Sequence, residues 1–141
     1  MRGIRKASRD DIPRLKEIRD TVRENKLGDP SRVTIAHYEW FIDNPGIFVW
    51  EEDGKIAGFS EADPRDGSIC ALFMDEAYEG RGIAQALFER ACDVLRAAGY
   101  SRMWLTTDPG TRAERFYRRA GWDVTGVRNG ELVFEKAVEP M

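Results

Sequence analysis

The chain has 141 residues, of which 42% are hydrophobic and 33% are charged, and its formal net charge is -3. This length suits one folded unit with its own core, so we expect a single domain over residues 1–141. The small negative charge excludes a whole-molecule attraction to nucleic acid. The sequence has no apolar run near the ~18 residues of a membrane span, and no signal-like apolar segment at its start. We therefore expect a cytoplasmic protein.

A strand and a helix are predicted at the start of the chain. The strand covers residues 2–7. Ser8 with Asp11 three residues later has the form of a capping box, and Pro13 falls near the helix start. Apolar residues then recur at three- and four-residue steps, which predicts a helix through residue 23.

A turn-rich break at residues 26–32 separates this helix from a second one. Thr34 is predicted to cap the second helix, because a threonine side chain can accept a hydrogen bond from a free amide of the first turn. The sequence Asn44-Pro45-Gly46 is predicted to end it.

Strands dominate the next part of the sequence. Two β-rich runs, residues 47–50 and 55–59, flank the dipeptide Asp53-Gly54. An Asp-Gly turn between such runs predicts a hairpin, with a loop of two or more residues. A turn at residues 63–67 then leads to a further strand.

A strand, a glycine-containing loop and a helix follow one another in the middle of the chain. The strand covers residues 69–74, the loop covers residues 79–82, and the helix begins at Ile83 and stops at Gly99. The first turn of a helix leaves backbone N–H groups unpaired and favours negative charge, and glycines allow a ligand to approach the backbone closely. The arrangement therefore predicts a site for a phosphate or pyrophosphate.

Two well-known phosphate loops match this site poorly. A Walker loop needs Lys-Ser/Thr after its last glycine, whereas Gly82 is followed by Ile83 and Ala84. The dinucleotide fingerprint needs a third glycine where this chain has Gln85. A nicotinamide- or flavin-dependent oxidoreductase is therefore the weaker alternative.

The last part of the chain is predicted to add three strands and one helix. The strands are at residues 103–107, 122–127 and 132–136, and the helix is at residues 111–120. Asn129-Gly130 marks a hairpin between the last two strands. The complete order, β-α-α-β-β-β-α-β-α-β-β, indicates an α/β fold with a mixed sheet.

Two segments of the sequence resemble the GCN5-related N-acetyltransferase (GNAT) family. Residues 72–84 are similar to the family's motif A, Gln/Arg-x-x-Gly-x-Gly/Ala, in which Gly82 and Ala84 match and Glu79 departs. Residues 112–122 are similar to the family's later A-x-x-x-Y-x-x-x-G-F/W segment. A family asparagine that contacts the pantetheine arm is replaced by Gly110.

The resemblance implies a mixed, mostly antiparallel sheet flanked by helices, acetyl-CoA as the cosubstrate and no metal. It implies transfer of the acetyl group to an amine of a small molecule or peptide by direct attack in a ternary complex. Tyr117 would be the general acid that protonates the CoA sulfur, since a phenol of pKa ~10 can protonate a thiolate of pKa ~8.5. The cofactor-binding residues would be Leu72, Phe73, Met74, Glu79, Gly80, Arg81, Gly82, Ile83, Ala84, Arg115 and Phe116.

The resemblance does not fix the general base. We assign Glu61 to this role, with Asp63 and Glu76 as alternatives that would take the proton directly or through water. His37, the only histidine, is expected to be a surface or packing residue on a helix that borders the acceptor site.

Charge and cysteine content give two further expectations, and one alternative function stays open. Acidic residues gather in the middle of the sequence, so we expect a neutral or cationic acceptor. Cys70 and Cys92 are expected to be small buried hydrophobes without a disulfide. A non-catalytic CoA-binding sensor or protein-interaction module on the same fold is the alternative function, and a homodimer is left open.

Overall fold

The structure is a computed structural model that describes residues 2–21, 33–44 and 46–138. The predicted residues 22 and 23 of the first helix, the break at residues 26–32 and Pro45 lie outside these ranges. The elements are β1 (Arg2–Lys6), α1 (Ile12–Thr21), α2 (Ile35–Asp43), β2 (Ile47–Glu52), β3 (Lys55–Asp63), β4 (Ser68–Met74), α3 (Ile83–Ala97), β5 (Arg102–Thr107), α4 (Arg112–Arg119), β6 (Asp123–Arg128) and β7 (Glu131–Ala137). Their order confirms the predicted fold class.

The seven described strands form one sheet in the order β1-β2-β3-β4-β5-β7-β6. Neighbouring strands are antiparallel except β4 and β5, which are parallel. Two-residue turns close both predicted hairpins. Asp53 and Gly54 have φ values of 52° and 79°, and Asn129 and Gly130 have values of 50° and 81°. Positive φ at both turn residues matches the right-handed twist of the flanking strands.

Helices cover both faces of this sheet. One apolar cluster joins α1 and α2 to the sheet and contains Leu15, Phe41 and Phe59. A second cluster lies on the opposite face and joins α3 and α4 to β5 and β7 through Phe88, Tyr117 and other residues. The sheet therefore has one face covered by α1 and α2 and another face covered by α3 and α4.

Side-chain caps hold the helix starts where the sequence predicts them. The Ser8 N–H donates to the Asp11 carboxylate at 2.8 Å across a 3₁₀ turn, Arg9–Asp11, that leads directly into α1. The His37 N–H donates to the Thr34 hydroxyl at 3.1 Å. The Glu114 N–H donates to the hydroxyl of Thr111 at 3.2 Å. Each cap satisfies an amide that has no partner inside its helix.

The structure differs from the expectation in two places on β3 and β4. Strand β3 continues to Asp63 instead of ending near residue 59, so Glu61 lies within a strand. Cys70 is exposed, which corrects the expectation that it is buried. Glu61 pairs with Ala71 and Ala62 pairs with Ile69, so Cys70 is the extra residue of a β-bulge and lies outside the regular alternation. Cys92 is buried as expected.

The described helices give no candidate for a membrane-spanning segment.

Candidate active site

The parallel strands β4 and β5 separate soon after they meet. Their register contains one pair, Ser68 with Trp104, and the Trp104 N–H donates to the Gly67 carbonyl at 3.2 Å. Beyond this point a cleft of about 850 Å³ opens between the end of β4, the loop before α3, and α4. Backbone groups on the open edge of β4 are therefore available to a ligand.

Leu72, Phe73 and Met74 form the β4 wall of this cleft. The Asp75 N–H donates to the Ala57 carbonyl of β3 at 2.8 Å, so the backbone of Asp75 is directed to β3. Because these directions alternate along a strand, the N–H and C=O groups of Leu72 and Met74 are directed to the open edge. The strand therefore offers two amide donors to the cleft.

The loop and the start of α3 close one end of the cleft. Gly80 and Gly82 have φ values of 77° and 81°, a left-handed conformation that favours glycine. Gly82 is the N-cap of α3, and the first helical hydrogen bond runs from the Ala86 N–H to the Gly82 carbonyl. The amides of residues 83–85 precede that bond and have no partner within the helix. These amides lie where the sequence predicts an anion site, and no atom would contact a Cβ placed at either glycine.

Asp75 anchors the beginning of this loop. Its carboxylate accepts from Arg14 Nη2 at 2.6 Å and from the Ala77 N–H at 2.9 Å. These hydrogen bonds, that from Arg14 first, lower the pKa of Asp75 from its usual value of 3.8. Arg14 also donates to the Ile56 carbonyl of β3 at 2.9 Å. The loop is thus tied to α1 and to the sheet.

Helix α4 forms the opposite wall and is rich in arginine. Arg112, Arg115 and Arg119 line the cleft, together with Phe116. Arg112 donates to the carboxylate of Glu79, which lies in the loop across the cleft. The electrostatic attraction for an anion is therefore concentrated on α4, where the sequence places its arginines.

Tyr117 lies at the back of the cleft and is only 6% exposed. Its ring packs against Phe88, Trp122 and Phe134 at centroid distances of 5.6 to 5.9 Å. Burial raises the pKa of the phenol above its usual value of 10.0. The phenol therefore keeps its proton throughout the neutral range.

Arg81 is oriented differently from the other predicted cofactor residues. Its guanidinium forms two hydrogen bonds to the Glu52 carboxylate on β2, at 2.8 and 2.9 Å, and it is not part of the cleft lining. The other ten predicted cofactor residues all line the cleft. The backbone of Arg81 remains part of the loop.

The three candidate bases lie in different surroundings. Glu61 is 3% exposed, and its carboxylate oxygens lie 3.0 and 3.1 Å from His37 Nε2. Burial would raise the pKa of Asp63, but hydrogen bonds from Arg65 outweigh that effect and lower it. Glu76 is exposed and lines the cleft.

The contact between His37 and Glu61 is the main feature of the site that sequence reasoning missed. The two residues are 24 positions apart, on α2 and β3. Two features of the sequence point toward this region, namely the threonine that caps α2 and the position of Glu61 near the end of a predicted strand. Neither of them determines which helix residue meets which strand residue.

Residues around this pair connect it to the cleft. The Arg19 guanidinium lies 4.1 Å from the ring centre of Phe73, which is a cleft residue. Burial lowers the pKa of Arg19, while the nearby acidic groups oppose this shift, first Tyr38 and Asp20 and then Glu61 and Glu131. Burial, followed by the charge of Glu61, raises the pKa of Tyr38 to about 12. The face with α1 and α2 therefore carries a polar cluster behind Phe73, which consists of Arg19, His37, Tyr38 and Glu61.

The cleft suits a long ligand with a phosphate at one end. It combines an amide cradle, an arginine-rich wall and two strand amides deeper inside. Such a combination can bind a phosphate and can stabilise a carbonyl oxygen that becomes negatively charged. The chain belongs to the acetyltransferase (GNAT) family, whose profile matches residues 12–122.

Individual relatives agree with this assignment. An uncharacterised N-acetyltransferase of Mycobacterium tuberculosis is 28% identical over 108 residues, which cover 72% of this chain and 69% of that protein. The PaiA N-acetyltransferase of Thermoplasma acidophilum, solved with coenzyme A, has a TM-score of 0.81 at 17% identity, over 97% of this chain and 99% of that one.

A further solved structure, yncA of Salmonella typhimurium with acetyl-CoA, is described as a putative acetyltransferase. It has a TM-score of 0.75 at 20% identity, over 100% of this chain and 96% of that one. At these identities the structural likenesses show the fold alone. The family assignment supports acetyl transfer in general. The two structural neighbours were solved with coenzyme A and with acetyl-CoA.

Proposed function

We propose that the protein is an N-acetyltransferase that moves the acetyl group of acetyl-CoA to the amine of a small molecule or peptide, in a ternary complex. The observation that carries this proposal is the cleft where β4 and β5 separate, with its amide cradle at one end and a buried tyrosine at its back. Acetyl-CoA supplies an activated acyl group as a thioester. The roles of the residues follow from their positions.

The loop at residues 79–84 would hold the pyrophosphate through its backbone amides. Helix N-termini favour negative charge, and no side chain is needed for that contact. Arg115 would add positive charge from the α4 wall, where Phe116 also lines the cleft. Glu79 as a carboxylate cannot donate a hydrogen bond to phosphate, and its negative charge would be partly neutralised by Arg112.

The open edge of β4 would bind the acyl end. An N–H of Leu72 or Met74 would donate to the carbonyl oxygen, which becomes negatively charged as the amine attacks. Donors fixed in a strand need no reorganisation during the reaction.

Two proton transfers complete the reaction. The acceptor amine loses a proton, its nitrogen forms a bond to the acetyl carbon, and the carbon–sulfur bond breaks. Tyr117 would give its proton to the departing sulfur, because its raised pKa keeps the phenol protonated. Glu61 would receive the amine proton, directly or through water. It is favoured over Asp63 because the hydrogen bonds from Arg65 already occupy the Asp63 carboxylate.

Two buried carboxylates near the site support a neutral or cationic acceptor. The acidic middle of the chain provides Glu61 and Asp63, which are both buried on β3 beside the cluster behind Phe73. A buried carboxylate repels an anionic ligand and attracts an ammonium group. Arg19 lies in the same cluster, so a carboxylate distant from the amine would still be tolerated.

The test is release of free CoA thiol from acetyl-CoA in the presence of amines that differ in charge. We expect turnover with neutral or cationic amines and little background hydrolysis without an amine. Binding of acetyl-CoA without turnover on any amine would favour the non-catalytic alternative. Turnover limited to strongly anionic amines would contradict the predicted acceptor charge.

A further inference from the structure

We infer that His37 is a positioning residue that holds the Glu61 carboxylate in the orientation needed to receive the acceptor's proton. This inference rests on the proposed function. A buried carboxylate needs hydrogen-bond donors to remain ionised. Within the described part of the chain, the side-chain partner of Glu61 is His37, with Nε2 at 3.0 and 3.1 Å from the two oxygens. A carboxylate that acts as a base has no hydrogen to donate, so this role requires Nε2 of His37 to carry a hydrogen.

The position of His37 is fixed by its own helix. Its N–H donates to the Thr34 cap, which sets its place in the first turn of α2. The imidazole ring lies edge-on to Tyr38, at a centroid distance of 5.4 Å, and packs against Phe41 at 4.9 Å. These contacts restrict the ring, so Nε2 can act as a fixed donor to Glu61.

A fixed carboxylate matters because proton transfer requires close contact with the amine. A displacement of about 1 Å can reduce the rate ~10²-fold. Without His37, the buried Glu61 carboxylate would lose this donor and would rotate toward another partner. His37 therefore acts on the reaction by orienting Glu61, and it does not contact the acceptor itself.

The first experiment removes the donor and then restores it. His37→Ala should lower kcat/KM for the amine by about tenfold or more. His37→Gln carries an amide nitrogen at the position of Nε2 and should restore the rate to within about threefold of the wild type. The dissociation constant of acetyl-CoA should stay unchanged in both variants, since His37 lies on the opposite face of the sheet from α3 and α4. That constant also shows that each variant is folded.

The control is Ile35→Ala on the same helix, because Ile35 is 58% exposed and should be neutral. Combination with Glu61→Gln separates positioning from a purely structural role. In the Glu61→Gln background, His37→Ala should cost less than about twofold, because the residue acts through a carboxylate that is no longer present. Equal losses in both backgrounds, or a failure of His37→Gln to restore activity, would overturn the inference.

A turnover-independent measurement uses the fact that His37 is the only histidine of the chain. The nitrogen NMR spectrum of the wild-type imidazole should show a protonated Nε2, and Glu61→Gln should shift that resonance. Identical spectra would overturn the contact itself. An active wild type with unaffected His37→Ala would remove only this inference, whereas a wild type that acetylates no amine would remove the proposed function and this inference with it.

Discussion

Removal of the Tyr117 hydroxyl is the most informative single change in the cleft. In Tyr117→Phe, the ring contacts with Phe88, Trp122 and Phe134 are retained, so we expect the free energy of unfolding at pH 7 to change by less than about 1 kcal/mol. Loss of a positioned proton donor should lower kcat by ~10²- to 10⁴-fold, which is about 3 to 5 kcal/mol of the barrier. The dissociation constant of acetyl-CoA should remain nearly unchanged.

The assay measures thiol release at saturating acetyl-CoA and amine, together with calorimetry of acetyl-CoA binding. Tyr78→Phe is the matched control, since Tyr78 also lines the cleft but has no assigned proton-transfer role. Its kcat should stay within about threefold of the wild type. A Tyr117→Phe enzyme with wild-type kcat, under conditions where chemistry limits the rate, would show that Tyr117 has only a packing role.

The raised pKa of Tyr117 also predicts the pH dependence of stability. The folded phenol keeps its proton at pH values where an unfolded tyrosine, with a pKa near 10, has lost it. Its contribution to stability is therefore complete below pH ~10 and is lost as the pH rises through the folded pKa. Above pH ~10 the free energy of unfolding should therefore fall less in Tyr117→Phe than in the wild type. Tyr38, with a pKa of about 12, should account for part of the fall that the variant still shows.

Three further predictions concern the loop. Ala84→Asp should raise the dissociation constant of acetyl-CoA at least ~tenfold relative to Ala84→Asn, because a carboxylate in the first turn of α3 repels phosphate. The difference should shrink at high salt. Equal dissociation constants by calorimetry would contradict phosphate binding at the start of α3. Glu79→Gln should tighten acetyl-CoA binding by about twofold to tenfold, since it removes a negative charge from the cleft, and an unchanged or weaker affinity would argue against phosphate at this point. Asp75→Asn should reduce the free energy of unfolding at pH 7, and this deficit should disappear as the pH falls below ~4. The reason is that Asp75, whose pKa is lowered in the folded protein, stabilises the fold only while its carboxylate is ionised. A deficit that does not change with pH in denaturant titrations would contradict the link to Arg14.

Gly82 is a less useful target than its place in the motif suggests. Its φ of 81° means that any side chain would strain the backbone, although there is open space around it. A Gly82→Val change would therefore combine a disturbed helix start with a blocked ligand approach. Ala84 lies two residues further along and avoids that ambiguity.

Features determined by neighbouring residues could be predicted from the sequence. The turns at Asp53-Gly54 and Asn129-Gly130, the cap at Thr34 and the start of α3 after Gly82 all have local causes, and the structure confirms them. The cleft-lining residues next to these features followed from the family motif, which is also local.

Features that depend on contacts between distant residues could not be predicted. Arg81 pairs with Glu52 instead of lining the cleft, because the end of β2 brings a carboxylate close to the loop. The β-bulge that exposes Cys70 depends on the register of β3 against β4. The contact of His37 with Glu61 depends on how α2 lies on the sheet. Periodicity assigns residues to faces but does not set such registers.

The most direct test of the account is to follow the acetyl group itself. The enzyme is incubated with acetyl-CoA that carries a labelled acetyl group and with an amine that is active in the thiol assay, and mass spectrometry then locates the label. We predict that the label appears on the amine nitrogen, that the protein carries none, and that initial-rate lines for varied acetyl-CoA and amine intersect, as required for direct attack in a ternary complex. Label on the protein with parallel initial-rate lines, or thiol release without any acetylated amine, would contradict the account.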